Sequence, residues 1–406
     1  MIRLLSSLLL VIASVFISND AGYAVSSDAR YFAIPKENMK FLGTNFNKSN
    51  KAIDEFNGYV LVKLVPFEVE TLSQQMHHAK AICGGFQDIQ VQMETHGISA
   101  REALEWVGRR PLNTSQFDKF EPSNPHTAKQ LMTSINLERF IGALTTFSGF
   151  PDRSSRGDLG VKASQWLVDV TKKLALAHGR SEITVTSIST GGWFLQPSVL
   201  VKVPGTDSTL PGILIGGHMD TFQNNKPGAD DDGSGSMTVM EIYNAILDTK
   251  VRFKRDIYFA YYAAEEYGLH GSQIIAAQFK KQNIALRAVM QFDMTGYKSP
   301  QDTQSIYFVN DYVDVNLTTF LKKITEKYLQ IPAHLIGDTK CGYACSDHAS
   351  WTQQGYSASF PFESSFSNYN STIHTGADKI ALITPAHALK YLLLGAVFVA
   401  ETADPL

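Results

Sequence analysis

The chain has 406 residues, of which 44% are hydrophobic and 18% charged, proportions typical of a globular protein with a substantial core. Its formal net charge of -3 at pH 7 leaves no basic excess, so composition argues against a nucleic-acid partner and against attraction to an anionic membrane. The length permits more than one folding unit, because domains usually contain about 100–200 residues.

The N-terminus predicts a secretory signal peptide. Arg3 precedes an apolar run over residues 4–17, and a polar break leads to a small-residue cleavage site at Ala24. A membrane anchor is the alternative, but a span needs about 20 apolar residues and this run is shorter. We therefore interpret residues 1–24 as a signal peptide. We expect a secreted protein, with a periplasm as a compartment of transit, and no membrane attachment after cleavage.

Residues 25–125 predict a separate, small α+β unit. Residues 58–64 have the composition of a strand, residues 68–81 the spacing of an amphipathic helix, and residues 89–92 the alternation of a second strand. Behind a signal peptide, such a unit indicates a propeptide that assists folding or inhibits the mature protein. A polar stretch over residues 111–126, rich in proline, asparagine and serine, is interpreted as an exposed linker.

Residues 126–406 form the predicted main domain, in which short apolar strands alternate with amphipathic helices. Strands are predicted at residues 182–189, 198–203, 212–217, 256–262, 288–292, 305–309 and 357–362. Helices are predicted at residues 128–146, 160–177, 234–247, 271–281, 316–328 and 385–402. This order predicts an α/β fold with a mixed, mainly parallel central sheet that is flanked by helices on both faces.

Polar residues gather where predicted strands end, which is where ligand sites form in open α/β sheets. His218 follows the strand at residues 212–217. Asp220 can orient its imidazole from behind, because residues two apart in an extended chain point the same way. Residues 230–232 are three consecutive aspartates, whose mutual repulsion a bound dication would offset. Capping of the following helix by one of these aspartates is an alternative role for the segment.

Two further strand ends carry carboxylates. Glu265 and Glu266 follow the strand at residues 256–262. Adjacent carboxylates can divide metal coordination and proton transfer between them, and the residues alone do not say which does which. Asp293 ends another apolar strand, where a charge should be paired or bound to metal. With His374 in a polar loop, these elements supply the mixed nitrogen and oxygen ligands that zinc accepts.

A short-loop disulfide is predicted between Cys341 and Cys345, because they lie four residues apart in a chain that is expected to be exported. A zinc site made of cysteines alone would need further cysteines nearby in the sequence, and there are none. Cys83 remains, and we interpret it as a buried or free thiol.

With these motifs, the chain resembles the bacterial leucyl aminopeptidases of the secreted di-zinc peptidase family, of the Vibrio type. The resemblance covers roughly residues 128–406. It is carried by the loop around His374 and by the segments Gly-Gly-His-Met-Asp, Pro-Gly-Ala-Asp-Asp-Asp, Ala-Ala-Glu-Glu, Asp-Met-Thr and Cys-Gly-Tyr-Ala-Cys-Ser-Asp-His-Ala-Ser-Trp. It implies a zinc-exopeptidase-like catalytic domain that binds two zinc ions per subunit, is a monomer, and hydrolyses bulky hydrophobic residues from the N-termini of peptides.

The resemblance also implies roles for the candidate ligands. Asp231 would bridge both zinc ions. Each ion would be completed by one further carboxylate and one histidine, namely Glu266 with His374 and Asp293 with His218. Two such ions can polarise a scissile carbonyl, lower the pKa of a water molecule and bind the free amine of a substrate.

The same resemblance implies that Glu265 is the general base that takes a proton from the attacking water. It also implies that the peptide bond between Asp231 and Asp232 is cis. An apolar pocket for the first side chain of the substrate is implied as well, which would favour Leu, Met or Phe by burying apolar surface. Tyr343 is expected to hydrogen-bond the reacting carbonyl region, and Cys345 to border the pocket. The expected pocket lining is Met294, Phe362, Phe366, Tyr369 and Ile373.

Three alternatives stay open at the level of sequence. A carboxypeptidase-like or dipeptide-specific zinc peptidase would need a basic residue for a substrate carboxylate, and the pocket loop offers none. A glutaminyl-cyclase-like transferase with a single zinc ion would have a similar fold. A binding module without catalysis would have a broken ligand set, whereas this set is complete.

Overall fold

The computed structural model describes residues 28–41, 52–80, 85–108 and 117–406. The predicted signal peptide at residues 1–24 and Cys83 lie outside the described residues. Within the described ranges, no helix is both long enough and apolar enough to cross a membrane. We call the described residues up to 108 the N-terminal unit, and residues 117–406 the main domain.

The N-terminal unit is the predicted small α+β unit, with an antiparallel sheet. Its strands are β1 (Arg30–Pro35), β2 (Ala52–Phe56), β3 (Tyr59–Leu64) and β4 (Gln87–Asp88), in the order β2-β3-β1-β4. Its helices are a 3-10 helix at Lys36–Phe41, α1 (Pro66–Lys80), α2 (Gln90–His96) and α3 (Ala100–Gly108). The predicted strand at residues 89–92 is wrong. The Asp88 carboxylate accepts a hydrogen bond from Gln90 N at 2.9 Å, and the chain turns there into α2.

The main domain contains the predicted central sheet. Its strands are β5 (Thr184–Ile188), β6 (Ser198–Val203), β7 (Gly212–His218), β8 (Ile257–Tyr262), β9 (Leu286–Gln291) and β12 (Ala358–Ser359), in the order β12-β9-β7-β8-β6-β5. Neighbouring strands from β12 to β8 pair in parallel, whereas β6 pairs antiparallel with both β8 and β5. A second sheet contains β10 (Ile306–Val309), β11 (Ile336–Thr339) and β13 (Pro361–Phe362).

Helices cover both faces of the central sheet, which confirms the predicted α/β architecture. They are α4 (Pro125–Ser134), α5 (Leu137–Phe147), α6 (Asp158–Ala177), α7 (Gly235–Thr249), α8 (His270–Lys281), α9 (Val315–Leu329), α10 (His348–Gln353) and α11 (Pro385–Thr402). Along β7, Ile213 and Ile215 belong to a core shared with α7 and α11, whereas Leu214 packs with residues of α8 and α10. This alternation follows from the two-residue repeat of a strand.

The helix predicted over residues 128–146 is wrong in one respect, because it is two helices, α4 and α5. The chain breaks at Asn136, whose side chain accepts a hydrogen bond from Arg139 N at 2.9 Å and so caps α5. Glu241 on α7 accepts a hydrogen bond from Asn136 N at 2.7 Å and another from Arg139 Nε at 2.7 Å. The break is therefore fixed from outside by the neighbouring helix.

The segment predicted as a linker, residues 111–126, is anchored at its C-terminal end. Phe117 is buried against an aromatic ring of α9. The buried Glu401 carboxylate on α11 accepts hydrogen bonds from Ser123 N at 2.8 Å and Asn124 N at 3.0 Å. This end of the segment is therefore held by the main domain.

The N-terminal unit packs against segments of the main domain that include the loops after β7 and β8. Residues of β1, β3 and α1 share an apolar core with Phe222 and Tyr267. The buried Asp88 carboxylate accepts a hydrogen bond from Arg30 Nε at 2.8 Å and lies 3.0 Å from His270 Nδ1. Burial alone would raise the pKa of Asp88, but Arg30 and His270 together hold that pKa below its ordinary value. The Asp88 carboxylate thus pairs with Arg30 inside the N-terminal unit and contacts His270 of the main domain.

Candidate active site

The predicted ligands come together at one edge of the central sheet. β7 ends at His218, β8 ends shortly before Glu266, and β9 ends shortly before Asp293. Since β9, β7 and β8 are neighbouring parallel strands, their carboxyl ends lie side by side. The loop between β7 and α7 adds Asp231, and the loop between β13 and α11 adds His374.

Asp231 lies at the centre of this group. Its Oδ1 is 3.0 Å from His218 Nε2, and its Oδ2 is 3.0 Å from His374 Nε2. Glu266 Oε2 is 2.8 Å from His374 Nε2, and Asp293 Oδ1 is 3.6 Å from His218 Nε2. The five side chains thus form two pairs of donors on either side of one carboxylate.

Carboxylate oxygens in this group lack the hydrogen bonds that buried charges need. Asp231 Oδ1 and Oδ2 and Asp293 Oδ1 are buried, and among the described residues none of these oxygens has a hydrogen-bond partner apart from the nearby imidazole nitrogens. Burial raises the pKa of Glu266 to about 7, while the neighbouring His374 opposes that rise. A buried carboxylate oxygen without a donor is costly unless a cation faces it, and carboxylate with imidazole is a donor set that suits zinc.

Asp232 lies close to the same group but is held differently. Donor atoms of Asp232 and of two predicted ligands lie within 4.8 Å of one another. Both Asp232 oxygens are engaged, however, because Oδ2 accepts a hydrogen bond from His218 N at 3.0 Å. Its Oδ1 accepts from Gly235 N at 2.9 Å and from Met294 N at 3.0 Å. The peptide bond between Asp231 and Asp232 is cis, as the resemblance implies. Asp232 thus ties loops together, and Asp231 keeps the oxygens that can face a cation.

Glu265 lies beside the two donor groups and belongs to neither. Burial raises its pKa well above the ordinary value of a glutamate, while His218 opposes that rise. Its backbone N donates a hydrogen bond to Asp220 Oδ1 at 3.0 Å. His218 Nδ1 lies 3.2 Å from the Asp220 carbonyl oxygen and 3.6 Å from Oδ1. Asp220 therefore links the imidazole to the loop that carries the glutamate, a second contact that sequence reasoning missed.

The predicted pocket residues lie in or against one buried apolar cluster. They are Met294, Tyr343, Cys345, Phe362, Phe366, Tyr369 and Ile373. Met294 and Ile373 are each adjacent in sequence to a predicted ligand, so the cluster borders the donor groups. Val309 and Phe360 belong to the same cluster and were missed, because only the pairing of β10 with the segment around β13 brings them together.

The predicted disulfide between Cys341 and Cys345 is present. The Asp311 carboxylate accepts hydrogen bonds from Cys341 N at 2.7 Å and from Gly342 N at 3.0 Å. Tyr343, within the disulfide loop, is buried in the apolar cluster. The loop is therefore fixed at its first residues and holds Tyr343 in the wall of the cluster.

A buried guanidinium that sequence reasoning missed fixes the loop after β7. Arg153 Nε donates a hydrogen bond to Met219 O at 2.7 Å. Its terminal nitrogens donate to the carbonyl oxygens of Pro227 and, at 2.8 Å, of Gly228. Burial lowers the pKa of Arg153 to about 10, while acidic neighbours led by Asp378 oppose that fall. The partners of this guanidinium are backbone carbonyls, which leave no signal in a sequence.

Curated relatives match most of the chain, and solved structures match nearly all of it. Leucine aminopeptidase 1 of Neurospora crassa is 35% identical over 320 residues, a match that covers 75% of this chain and 78% of that protein. The solved structure of the LapA aminopeptidase of Legionella pneumophila has a TM-score of 0.83 at 31% identity, and covers 93% of this chain and 100% of that chain. The finer likeness to the Vibrio type stays a prediction.

A more distant likeness extends to fold alone. A glutaminyl cyclase structure from Porphyromonas gingivalis has a TM-score of 0.53 at 14% identity, and covers 65% of this chain and 97% of that chain. The family model for peptidase family M28, by contrast, matches residues 198–397, which contain all five predicted ligands. With the fungal relative, this match shows that the chain belongs to peptidase family M28.

Proposed function

We propose that this protein is a zinc aminopeptidase that hydrolyses bulky hydrophobic, leucine-like residues from the N-termini of peptides. The observation that carries the proposal is the Asp231 carboxylate. Each of its two buried oxygens lies 3.0 Å from the Nε2 atom of a different histidine, and among the described residues neither oxygen has another hydrogen-bond partner. That arrangement suits a bridge between two cations. The names of the fungal leucine aminopeptidase and of LapA support the same activity.

Two zinc ions would be held by the five ligands. His218 with Asp293, and Glu266 with His374, are the pairs that Asp231 would join. When bound, zinc supplies Lewis acidity and lowers the pKa of a water molecule. Buried carboxylate oxygens that have no hydrogen-bond partner among the described residues apart from imidazole nitrogens, as in Asp231 and Asp293, favour this occupancy.

Glu265 is the proposed general base. A glutamate whose pKa is raised by burial can take a proton from water near neutral pH and return it to the leaving amine. Its backbone is held by Asp220, so the loop that carries the carboxylate keeps its position beside the donor groups. Tyr343 is proposed to hydrogen-bond the reacting carbonyl region from the wall of the apolar cluster. The remaining cluster residues would take the first side chain of the substrate.

The substrate preference is tested with a panel of amino-acid p-nitroanilides. We expect Leu, Met and Phe derivatives to be cleaved at least about 10-fold faster than Asp or Lys derivatives, because the pocket is apolar. A zinc chelator should remove the activity, and added zinc should restore it. N-acetylated Leu-p-nitroanilide is the matched control. It should resist cleavage, because its amine is acetylated and the proposed site binds a free amine.

Two outcomes would contradict the proposal. Cleavage of the N-acetylated substrate as fast as the free one would exclude an aminopeptidase. Pyroglutamate formation from a peptide with an N-terminal glutamine, together with one zinc ion per active chain, would favour the glutaminyl-cyclase alternative. The distant cyclase structure, which shares the fold, makes that second measurement worthwhile.

The proposed domain division is a signal peptide at residues 1–24, a propeptide at residues 25–125 and a catalytic domain at residues 126–406 of a secreted monomer. The N-terminal unit is proposed to chaperone or inhibit the catalytic domain. Its helix α1 supports this role, because Glu70 accepts a hydrogen bond from Tyr267 Oη at 2.5 Å. Tyr267 directly follows one of the predicted ligands, and His374, the most exposed of the five ligands, is only 7% exposed.

The buried Asp88 carboxylate, which contacts both Arg30 of the N-terminal unit and His270 of the main domain, gives a test of this role. Replacing Asp88 with asparagine leaves Arg30 buried without its counter-charge and alters the contact with His270, which should destabilise the docked N-terminal unit by about 3–5 kcal/mol. We expect trypsin to release the unit sooner and activity on Leu-p-nitroanilide to rise as the site is uncovered. Lys36→Gln, which breaks an ion pair with Glu55 between side chains that are 64% and 50% exposed, is the control and should have little effect. Equal protease resistance in the two variants would contradict the prediction.

A further inference from the structure

The loop that carries His374 is tied to the Asp231 turn on both sides of the histidine. Asp378, four residues after His374, accepts hydrogen bonds from Asp230 N at 3.0 Å and from Asp231 N at 3.1 Å. Asn370, four residues before His374, donates from Nδ2 to Asp230 Oδ2 at 3.0 Å. Two side chains of the His374 loop therefore hydrogen-bond to the turn that carries Asp231.

Asp230 also connects these two loops to a third loop. The second oxygen of Asp230 accepts hydrogen bonds from Gly296 N at 3.1 Å and from Ser234 Oγ at 3.2 Å. Gly296 lies three residues after Asp293, so Asp230 connects the loops of three predicted ligands. Asp230 and Asp378 are fully buried, and Asn370 is 1% exposed. Water is therefore excluded as a competing partner for these hydrogen bonds.

A carboxylate that accepts two consecutive backbone N–H groups fixes the direction of the peptide plane between them. For Asp378 that plane joins Asp230 to Asp231, so the Asp231 side chain starts from a fixed Cα. Outer groups that orient ligands typically change metal affinity or activity about 10- to 100-fold when they are removed. Asp378 is not itself a member of either donor group.

We infer that Asp378 is a positioning residue that, with Asn370, holds the Asp231 carboxylate between the two histidines. The inference rests on the proposed two-zinc function. It adds a residue that contacts no reacting group and acts only through the backbone of Asp231. Because Asp378 also lies in the His374 loop, a single contact fixes the relative positions of two ligands of the same proposed ion.

The test compares Asp378→Asn with Glu401→Gln in the full chain. Both replacements convert a fully buried carboxylate into an amide, and each carboxylate accepts hydrogen bonds from two consecutive backbone N–H groups. Glu401 lies on α11, and its two backbone donors are Ser123 N and Asn124 N. We expect both variants to lower the melting temperature. Zinc affinity per folded chain, measured by competition with a chromophoric chelator, should fall about 10- to 100-fold in Asp378→Asn and stay unchanged in Glu401→Gln. The visible absorption spectrum of the cobalt-loaded protein should change only in Asp378→Asn.

A second variant and a metal-free measurement keep the inference testable. Asn370→Ala removes the hydrogen bond to Asp230 Oδ2 and should also lower the zinc affinity. In the metal-free protein, hydrogen exchange at the amides of Asp230 and Asp231 should be slow in the wild type and fast in Asp378→Asn. Unchanged zinc affinity and cobalt spectrum, or unchanged exchange at these amides, would overturn the inference. Failure of the proposed function would show itself separately, as a wild-type chain that binds no zinc while its amides still respond to Asp378→Asn.

Discussion

Replacing Glu265 with glutamine is expected to reduce kcat on Leu-p-nitroanilide by about 10²- to 10⁴-fold while the zinc content stays at the wild-type value. The amide has nearly the same shape as the carboxylate but cannot take a proton from water. The hydrogen bond from the backbone N of Glu265 to Asp220 does not involve the replaced group, so the loop should keep its position. Steady-state kinetics and elemental analysis of the same preparation measure both quantities.

The buried Glu401 again provides a control for this variant. Glu401→Gln should keep the wild-type kcat, because its contacts hold the start of the main domain rather than the site. A Glu265→Gln enzyme with wild-type turnover would refute the assignment of the base. If zinc were lost together with activity, Glu265 would instead be a ligand, and the division of roles between Glu265 and Glu266 would have to be reversed.

The fold could be predicted from sequence where local pattern and final environment agree. β7 is continuous and apolar because it is covered on both faces, so the run over residues 212–217 marks it well. The break between α4 and α5 was missed because residues 128–146 have an unbroken helical spacing. The break depends on Glu241, which reaches Asn136 across 105 residues of sequence. Tertiary contacts of this kind override local propensity and are not encoded next to the site they affect.

The ligands were easier to predict than the groups that orient them. Each proposed ligand is a polar residue that follows an apolar strand or lies in a polar loop, so its type and position can be recognised together. Arg153, Asp232 and Asp378 act on backbone N–H or carbonyl groups instead. Since backbone groups are the same at every position, the sequence does not indicate which of them a buried charge will meet. The division of the ligands into one bridge and two pairs came from the resemblance to a family, because residue type and position alone do not distinguish these roles.

Replacing Asp231 with alanine is expected to weaken the binding of both zinc ions by at least about 100-fold. That figure is the largest loss typical of removing a residue that orients a ligand without binding metal itself. The reason is that one carboxylate would serve both ions, with one oxygen directed to each histidine. Its removal leaves each ion with one histidine and one carboxylate from the chain. Isothermal titration of the metal-free protein with zinc gives the stoichiometry and the two affinities directly.

Asp293→Ala is the matched comparison for this variant, because Asp293 approaches only His218 among the two histidines. We expect this replacement to weaken one ion and to leave the second, held by Asp231, Glu266 and His374, near its wild-type affinity. A chain with Asp231→Ala that still bound one zinc ion tightly would show that the carboxylate serves a single ion. Loss of both ions from Asp293→Ala would instead mean that the two ions bind only together, which the separate donor groups argue against.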